Sequence, residues 1–314
     1  MEIQRAEQEF IGWLKTSRDL SHNTLRAYRG DLKAFSLHVG LHSSVNELSA
    51  GDLVNFLEEQ RNSGLSPASI RRRMAALRRF CRWLLENDVV AKDPWSEVSV
   101  RVRKPRALPR PVHSEDLTRL LTFLTEAAGL RTTTPPRSGP LRAHQATTLV
   151  AVTLMLATGL RVGEVAGVRC CDLDIADSSI RVRGKGSKER TVFLPDPWTQ
   201  HLVTAYVEVR EGLAIEHQHL LFSRSHGPMT PATIRTRLRE AAARARTKHP
   251  ITPHMLRHSA ATNLIESGVD IRYVQRLLGH ATLSTTEIYT HVSDVALRRV
   301  VSEANVVSRC MTRR

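Results

Sequence analysis

Apolar positions in the first hundred residues recur at helical spacing. Phe10, Trp13 and Leu14 stand three and four apart. Leu25, Tyr28, Leu32 and Phe35 keep the same period behind Ser21, a residue type that caps helix starts, and Gly40 marks the stop; Leu53, Phe56 and Leu57 mark a third segment. The fourth begins at Pro67 and carries Ile70, Met74, Leu77, Cys81 and Leu84 on one stripe, while Arg71, Arg72, Arg78, Arg79 and Arg82 fall mostly off it. An ordinary solvated face mixes charge signs, yet no carboxylate occurs between Pro67 and Leu85. Those five arginines are therefore candidate contacts for a polyanion.

The pattern then breaks. In R-V-R-K-P-R-A-L-P-R-P, Arg101 to Pro111, the prolines forbid a continuing helix or a central strand, so residues 101–112 are expected to be an extended basic linker. It divides a helical domain, residues 1–100, from a second domain, residues 113–314. Inside the second domain, R-T-T-T-P-P-R-S-G-P from Arg131 to Pro140 has the composition of a surface insertion. The apolar segment Leu149–Leu156 predicts a helix ending at Thr158-Gly159. Ser179–Arg183 and Arg190–Leu194 alternate as two strands around the turn G-K-G-S-K-E, a hairpin with Lys185 at its tip. Thr252 reads as an N-cap with Pro253 in the first helical position and Gly268 past the end, which puts His254 and Arg257 in the first turns, where the helix dipole favours an anion. Asp270 opens another helix, closed by Gly279. Ser284-Thr-Thr-Glu287 has capping-box form and places Tyr289 early in a short helix.

Charge narrows the partner. Lys and Arg number 46 against 31 Asp and Glu, a formal charge of +15, which favours nucleic acid first and an anionic membrane surface second. The longest apolar run is far short of the roughly 20 residues of a membrane span, and no basic-then-apolar leader opens the chain, so a soluble cytoplasmic protein is expected. Cys81, Cys170, Cys171 and Cys310 include no C-x-x-C pair and are expected to be reduced and mostly buried. Gly186 follows Lys185 where a nucleotide-binding P-loop needs Ser or Thr. A zinc site using His254, His258 and His280 is also disfavoured, because H-E-x-x-H needs Glu where Met255 stands and Arg257 repels a cation.

Five stretches occur in a telling order: A-T-G-L-R-V-G-E (Ala157–Glu164), G-K-G-S-K-E-R (Gly184–Arg190), H-M-L-R-H-S (His254–Ser259), L-L-G-H-A (Leu277–Ala281) and I-Y-T-H-V (Ile288–Val292). Together they resemble the tyrosine recombinases, or phage-type integrases. The likeness covers nearly the whole chain, since the amino-terminal helices with S-H-N-T-L-R-A-Y are similar to that family's core-binding domain. It implies a mainly α fold with a small β-hairpin or sheet in the catalytic domain, preceded by a helical SAM-like domain.

The implied reaction is site-specific cleavage and rejoining of DNA through a 3′-phosphotyrosyl link, without metal, ATP or cofactor. Arg161 and Arg257 would offer paired hydrogen bonds to charge on the non-bridging phosphate oxygens, and Tyr289 would be the nucleophile. By resemblance His254 assists removal of its proton, Lys185 protonates the leaving 5′ oxygen, and His280 hydrogen-bonds the phosphate; Lys188, on the same turn, remains an alternative to Lys185. Arg161 also reads as a helix cap paired with Glu164. Arg71, Arg72, Arg78, Arg79, Arg82, Arg101, Arg103 and Lys104 are expected DNA contacts. The expected partner is double-stranded DNA with paired sites, bound by a homotetramer or together with a related recombinase. In that family the apolar tail from Val292 to Val307 passes to the adjacent protomer.

The 131–140 stretch and the ending R-C-M-T-R-R depart from the compact Xer-type resolvases, and a separate arm-binding domain ahead of the helical domain is not expected. These features favour a mobile-element integrase or transposase of simple architecture over a chromosome or plasmid dimer resolvase. A type IB topoisomerase-like nicking-closing enzyme and a non-catalytic DNA-binding accessory protein are the other readings.

Overall fold

The amino-terminal stripes find one another. In the structure, a computed structural model that describes residues 1–17, 20, 22–100, 102, 111–130, 141–183, 189–213 and 215–278, the chain divides into two compact units, Met1–Ala107 and Leu108–Arg314. The first contains, among the described residues, α1 (Ile3–Ser17), α2 (His22–Val39), α3 (Ala50–Asn62) and α4 (Pro67–Glu86). The predicted stop after α2 is present, with Gly40 at φ +107°, a conformation that glycine adopts without a Cβ penalty. Ser21 lies outside the described residues. Ser66 caps α4 by accepting the Ser69 N–H, and Pro67 fills the first turn. The stripes bury Phe10, Phe35, Phe56, Leu77, Phe80 and Leu84; Phe10 and Phe80 meet at 5.5 Å between ring centroids and Phe35 and Phe56 at 5.3 Å.

The arginine face of α4 is less uniform than its sequence suggests. Arg72 uses Nε and Nη2 to grip both oxygens of Asp31 on α2 at 2.7 Å each, and Arg73 Nε adds a bond at 3.2 Å. The missing carboxylate thus arrives from another helix, and Arg72 clamps α4 to α2. Arg82 pairs with Glu86 at 2.9 Å, and Arg78 lies over the Trp95 ring at 5.4 Å. Asp31 is 1 % exposed, so removing it takes the carboxylate from Arg73, whose side chain is 15 % exposed and keeps only neutral partners in Gln60 and the Phe56 ring. Asp31→Ala is expected to lower stability by about 3 kcal/mol, the lower end of the range for breaking a buried pair from one side; an unchanged midpoint in urea denaturation would show the clamp to be ornamental.

The second unit forms around one helix. From Ala146 to Thr158 every side chain of α6 (Ala143–Thr158) is buried, because α5 (Ser114–Ala127), α7 (Val162–Gly167), α8 (Pro197–Gly212), α9 (Pro231–Arg244) and α10 (Pro253–Glu266) all pack on it. A helix surrounded on every side has no polar face to display, which explains the continuous apolar run. Its buried Thr147 hydroxyl is satisfied by Tyr206 Oη at 2.8 Å. Tyr206 is a core residue, and Tyr28 and Tyr273 are partly buried against their own cores.

The predicted hairpin is β2 (Ser179–Arg183) with β3 (Glu189–Phe193), antiparallel, with Ile180 opposite Val192 and Val182 opposite Arg190. A third strand, β1 (Leu173–Asp174), pairs with β2. At two residues it is too short to leave an alternating signal. The chain described here ends with α11 (Ile271–Leu278). The expectation of mostly buried thiols is corrected in part: Cys81 is buried, Cys170 is intermediate and Cys171 is exposed, the last two standing side by side on a short 3-10 turn that turns one of them outward. Cys310, Arg101, Arg103, Lys104 and the 131–140 stretch lie outside the described residues. No helix among those described is long and apolar enough to cross a membrane.

Candidate active site

The site is assembled from helix ends. Thr252 accepts the Met255 N–H at 3.3 Å and Pro253 occupies the first turn of α10, as the local sequence dictates. His254 is exposed at that end, while Arg257, one turn further, is 8 % exposed. His258, beside Arg257, is partly buried. Ser259 ties α10 to the entry of the unit by accepting the Val112 N–H at 2.8 Å.

Arg257 is held by backbone. Its Nη1 donates to the Gly159 carbonyl and its Nη2 to the Leu278 carbonyl, both at 2.6 Å. These are terminal carbonyls of α6 and α11, oxygens for which a helix supplies no internal partner. Gly159 is the left-handed cap of α6, at φ +66°, and a Cβ there would meet Leu278 Cδ2 at 2.5 Å. Glycine therefore serves twice, allowing the turn and letting α11 approach. Burial, and then the neighbouring Arg161, push the Arg257 guanidinium down to about 10, with Glu164 opposing. It stays cationic at neutral pH.

Arg161 sits at the N-cap of α7. Its backbone N–H donates to Glu164 Oε2 at 2.7 Å and its Nη1 to Oε1 at 3.0 Å. The helix-cap reading of Arg161 is thus present, but it does not exhaust the residue, whose side chain remains 44 % exposed. Arg190 on β3 takes the same carboxylate with both terminal nitrogens, each at 3.0 Å, and donates Nε to the Leu277 carbonyl at 3.2 Å. Burial alone would raise the Glu164 carboxyl; hydrogen bonds from Arg190 and from the Arg161 backbone, with the charges of both arginines, bring it below the ordinary carboxylate range. Three guanidiniums around one carboxylate leave an excess of two positive charges. That arrangement can hold an oxyanion whose charge grows during a reaction.

Of the residues singled out in the sequence, Arg161, His254 and Arg257 are gathered by α7 and α10. Lys185, Lys188, His280 and Tyr289 lie outside the described residues. No group of three or more His, Cys, Asp or Glu placed to hold a metal occurs among the described residues. Arg190 was not singled out, although a signal existed: it shares the inward phase of its strand with buried Val192 and Leu194. An arginine in that phase needs an acceptor.

A two-unit chain with a helical first unit, a second unit of helices around a small sheet, and an arginine pair at its helix ends has the architecture of the tyrosine recombinases. Residues 112–295 match the family model described as Phage integrase family, and residues 8–88 match the Phage integrase, N-terminal SAM-like domain; the chain belongs to this family. It is 34 % identical over 300 residues to the tyrosine recombinase XerC of Listeria welshimeri, covering 94 % of this chain and 95 % of that one. To the tyrosine recombinase XerD of Listeria monocytogenes it is 33 % identical, covering 94 % and 97 %. Among solved structures, a lambda integrase tetramer bound to a Holliday junction shares the fold at a TM-score of 0.69 and 15 % identity, over 91 % of this chain and 76 % of that one. The Tn1549 transposon integrase in complex with a circular intermediate DNA does so at 0.68 and 17 %, over 95 % and 98 %.

Proposed function

We propose that this chain is a site-specific DNA recombinase that cleaves one strand at a time, holds the 3′ end as a phosphotyrosyl link and passes it to a new 5′-hydroxyl. The observation that carries this reading is the Arg257 guanidinium, buried and fixed between the Gly159 and Leu278 carbonyls beside Arg161. A planar donor locked in place before the substrate arrives costs little reorganisation when charge develops on a phosphate. Arg161 and Arg257 receive the non-bridging oxygens, His254 assists deprotonation of Tyr289, Lys185 or Lys188 protonates the leaving 5′ oxygen, and His280 bonds the phosphate. The phosphotyrosyl bond conserves the energy of the phosphodiester, so rejoining needs no nucleotide and no metal.

The test is a duplex nicked beside the cleavage point, from which a short fragment diffuses away after attack. A covalent protein–DNA adduct is expected to accumulate with EDTA present. A strict divalent-metal requirement would overturn the mechanism, and relaxation of supercoiled plasmid without strand transfer would favour a nicking-closing enzyme.

Two uses of strand exchange remain in play. The 131–140 stretch, with the composition of a surface insertion, favours integration or transposition of a mobile element. The near full-length match to XerC and XerD favours the second reading, resolution of chromosome or plasmid dimers. Either use joins two DNA sites through four subunits and takes place on cytoplasmic, nucleoid-associated DNA.

The polar arc of α4 supplies sequence-independent affinity in this reading. Arg72 is largely committed to Asp31, so Arg78 and Arg79 are the better probes. Replacing both with Gln is expected to weaken binding to all sequences and to reduce the slope of log K against log salt by about two, roughly one per lost phosphate contact. An unchanged slope in a salt series would mean that this face does not touch DNA.

A further inference from the structure

Arg190 makes more polar contacts than a hairpin residue needs for folding, and all of them lead to the arginine pair. Each Glu164 oxygen accepts two donors: Oε1 takes Arg161 Nη1 and Arg190 Nη1, and Oε2 takes the Arg161 backbone N–H and Arg190 Nη2. With its acceptor positions filled, the carboxylate has little freedom to rotate, and Arg161 Nη1 takes its direction from it. At the other end Arg190 Nε holds the Leu277 carbonyl, next to the Leu278 carbonyl that holds Arg257. One guanidinium on β3 therefore touches the anchors of both arginines. The circuit closes through Gly159, whose carbonyl binds Arg257 two residues before Arg161.

We propose that Arg190 is a positioning residue for the two-arginine site, setting the direction of Arg161 through Glu164 and fixing the end of α11 on which Arg257 rests. The proposal rests on the reading of that pair as the scissile-phosphate grip. The fork is essential to it. Lysine would bring the charge but only one point of attachment, so it could hold Glu164 or Leu277 and not both in register. Arg190 is 18 % exposed and its donors are directed at protein acceptors, which fits a support better than a direct contact with DNA.

The experiment compares the unmodified protein with Arg190→Lys on two nicked duplexes, one with an ordinary scissile phosphate and one with a neutral methylphosphonate there. Misplacement of a catalytic group by about 1 Å costs on the order of 10²-fold in rate. Single-turnover cleavage of the phosphate is therefore expected to fall about 100-fold, with binding within about twofold. On the methylphosphonate, where less negative charge develops for the arginines to meet, the gap should shrink to about tenfold or less.

Equal loss on both substrates overturns the proposal, because a general folding or binding defect does not distinguish them. Undiminished cleavage of the phosphate overturns it as well. If Arg190→Lys loses its cooperative thermal transition, Arg190→Gln, which keeps one donor for Glu164 and removes the buried charge, answers the same comparison. Should Arg257→Lys leave phosphate cleavage intact, the phosphate-grip reading itself fails, a result separate from either outcome at Arg190.

Discussion

Arg257→Lys is expected to slow DNA cleavage by about 10³-fold, near 4 kcal/mol of transition-state stabilisation, while changing affinity for the site by no more than about threefold. The geometry sets this split. Arg257 presents a flat cation fixed by two carbonyls at 2.6 Å, from Gly159 and Leu278. An ammonium on a flexible stem keeps the charge, so ground-state attraction to the phosphate largely survives. It cannot satisfy both carbonyls and still offer a second donor to the phosphate, and whichever carbonyl loses its partner is left unpaired in a buried place. What disappears is the paired hydrogen bond in the pentacoordinate state, an interaction that raises the rate and contributes little to binding. Single-turnover cleavage and gel-shift titration at one fixed salt concentration separate the two effects. Equal losses in both would make Arg257 an ordinary phosphate contact. The titration range offers a companion check: with its guanidinium pushed down to about 10, the cation is present through neutrality and is lost only as pH rises past that value, so this residue should leave no step in the rate profile below pH 9.

How much of this could be read from the chain depends on where each partner lies. The caps of α10, the two hairpin strands and the apolar α6 were legible because Thr252, Pro253, Gly268 and the alternating strand residues act on their immediate neighbours. Arg257 was legible as a candidate, but its burial was not. Its acceptors are main-chain carbonyls 98 and 21 residues away in sequence, and a carbonyl has no letter of its own. Arg72 misled for the same reason in reverse: its helix lacks an acid, and the acid it uses is 41 residues earlier on α2. Glu164 was read as a partner of Arg161 alone. Its second guanidinium arrives from β3, 26 residues on, and only the inward phase of Arg190 gave notice of it. The two-residue β1 left no periodic trace. In each case a local code succeeded and a tertiary partner without a nearby signal was missed.

Tyr289→Phe is expected to reduce the covalent adduct to background while leaving site binding within about twofold, since only a hydroxyl is removed. The other tyrosines are poor nucleophiles for physical reasons. Tyr206 is fully buried, its hydroxyl is bonded to Thr147, and burial pushes its ionisation up. Tyr28 belongs to the amino-terminal core, and Tyr273 packs on the core of the second unit from α11. Tyr289 follows His280 by nine residues in the stretch that continues from α11, whose last carbonyls are gripped by Arg190 and Arg257. A phenol with an unperturbed pKa of about 10 is a weak nucleophile at neutral pH, and in the proposed mechanism the positive charge of the arginine pair favours its anion over the phenol. The measurement is adduct formation on the nicked duplex with EDTA present, followed by digestion and mass spectrometry of the DNA-linked peptide. The modified peptide should contain Tyr289, and Tyr273→Phe should form adduct at the unmodified rate. An adduct that persists in Tyr289→Phe, or a linkage mapped to Tyr273, would remove Tyr289 from the mechanism and leave the arginine pair in need of another nucleophile.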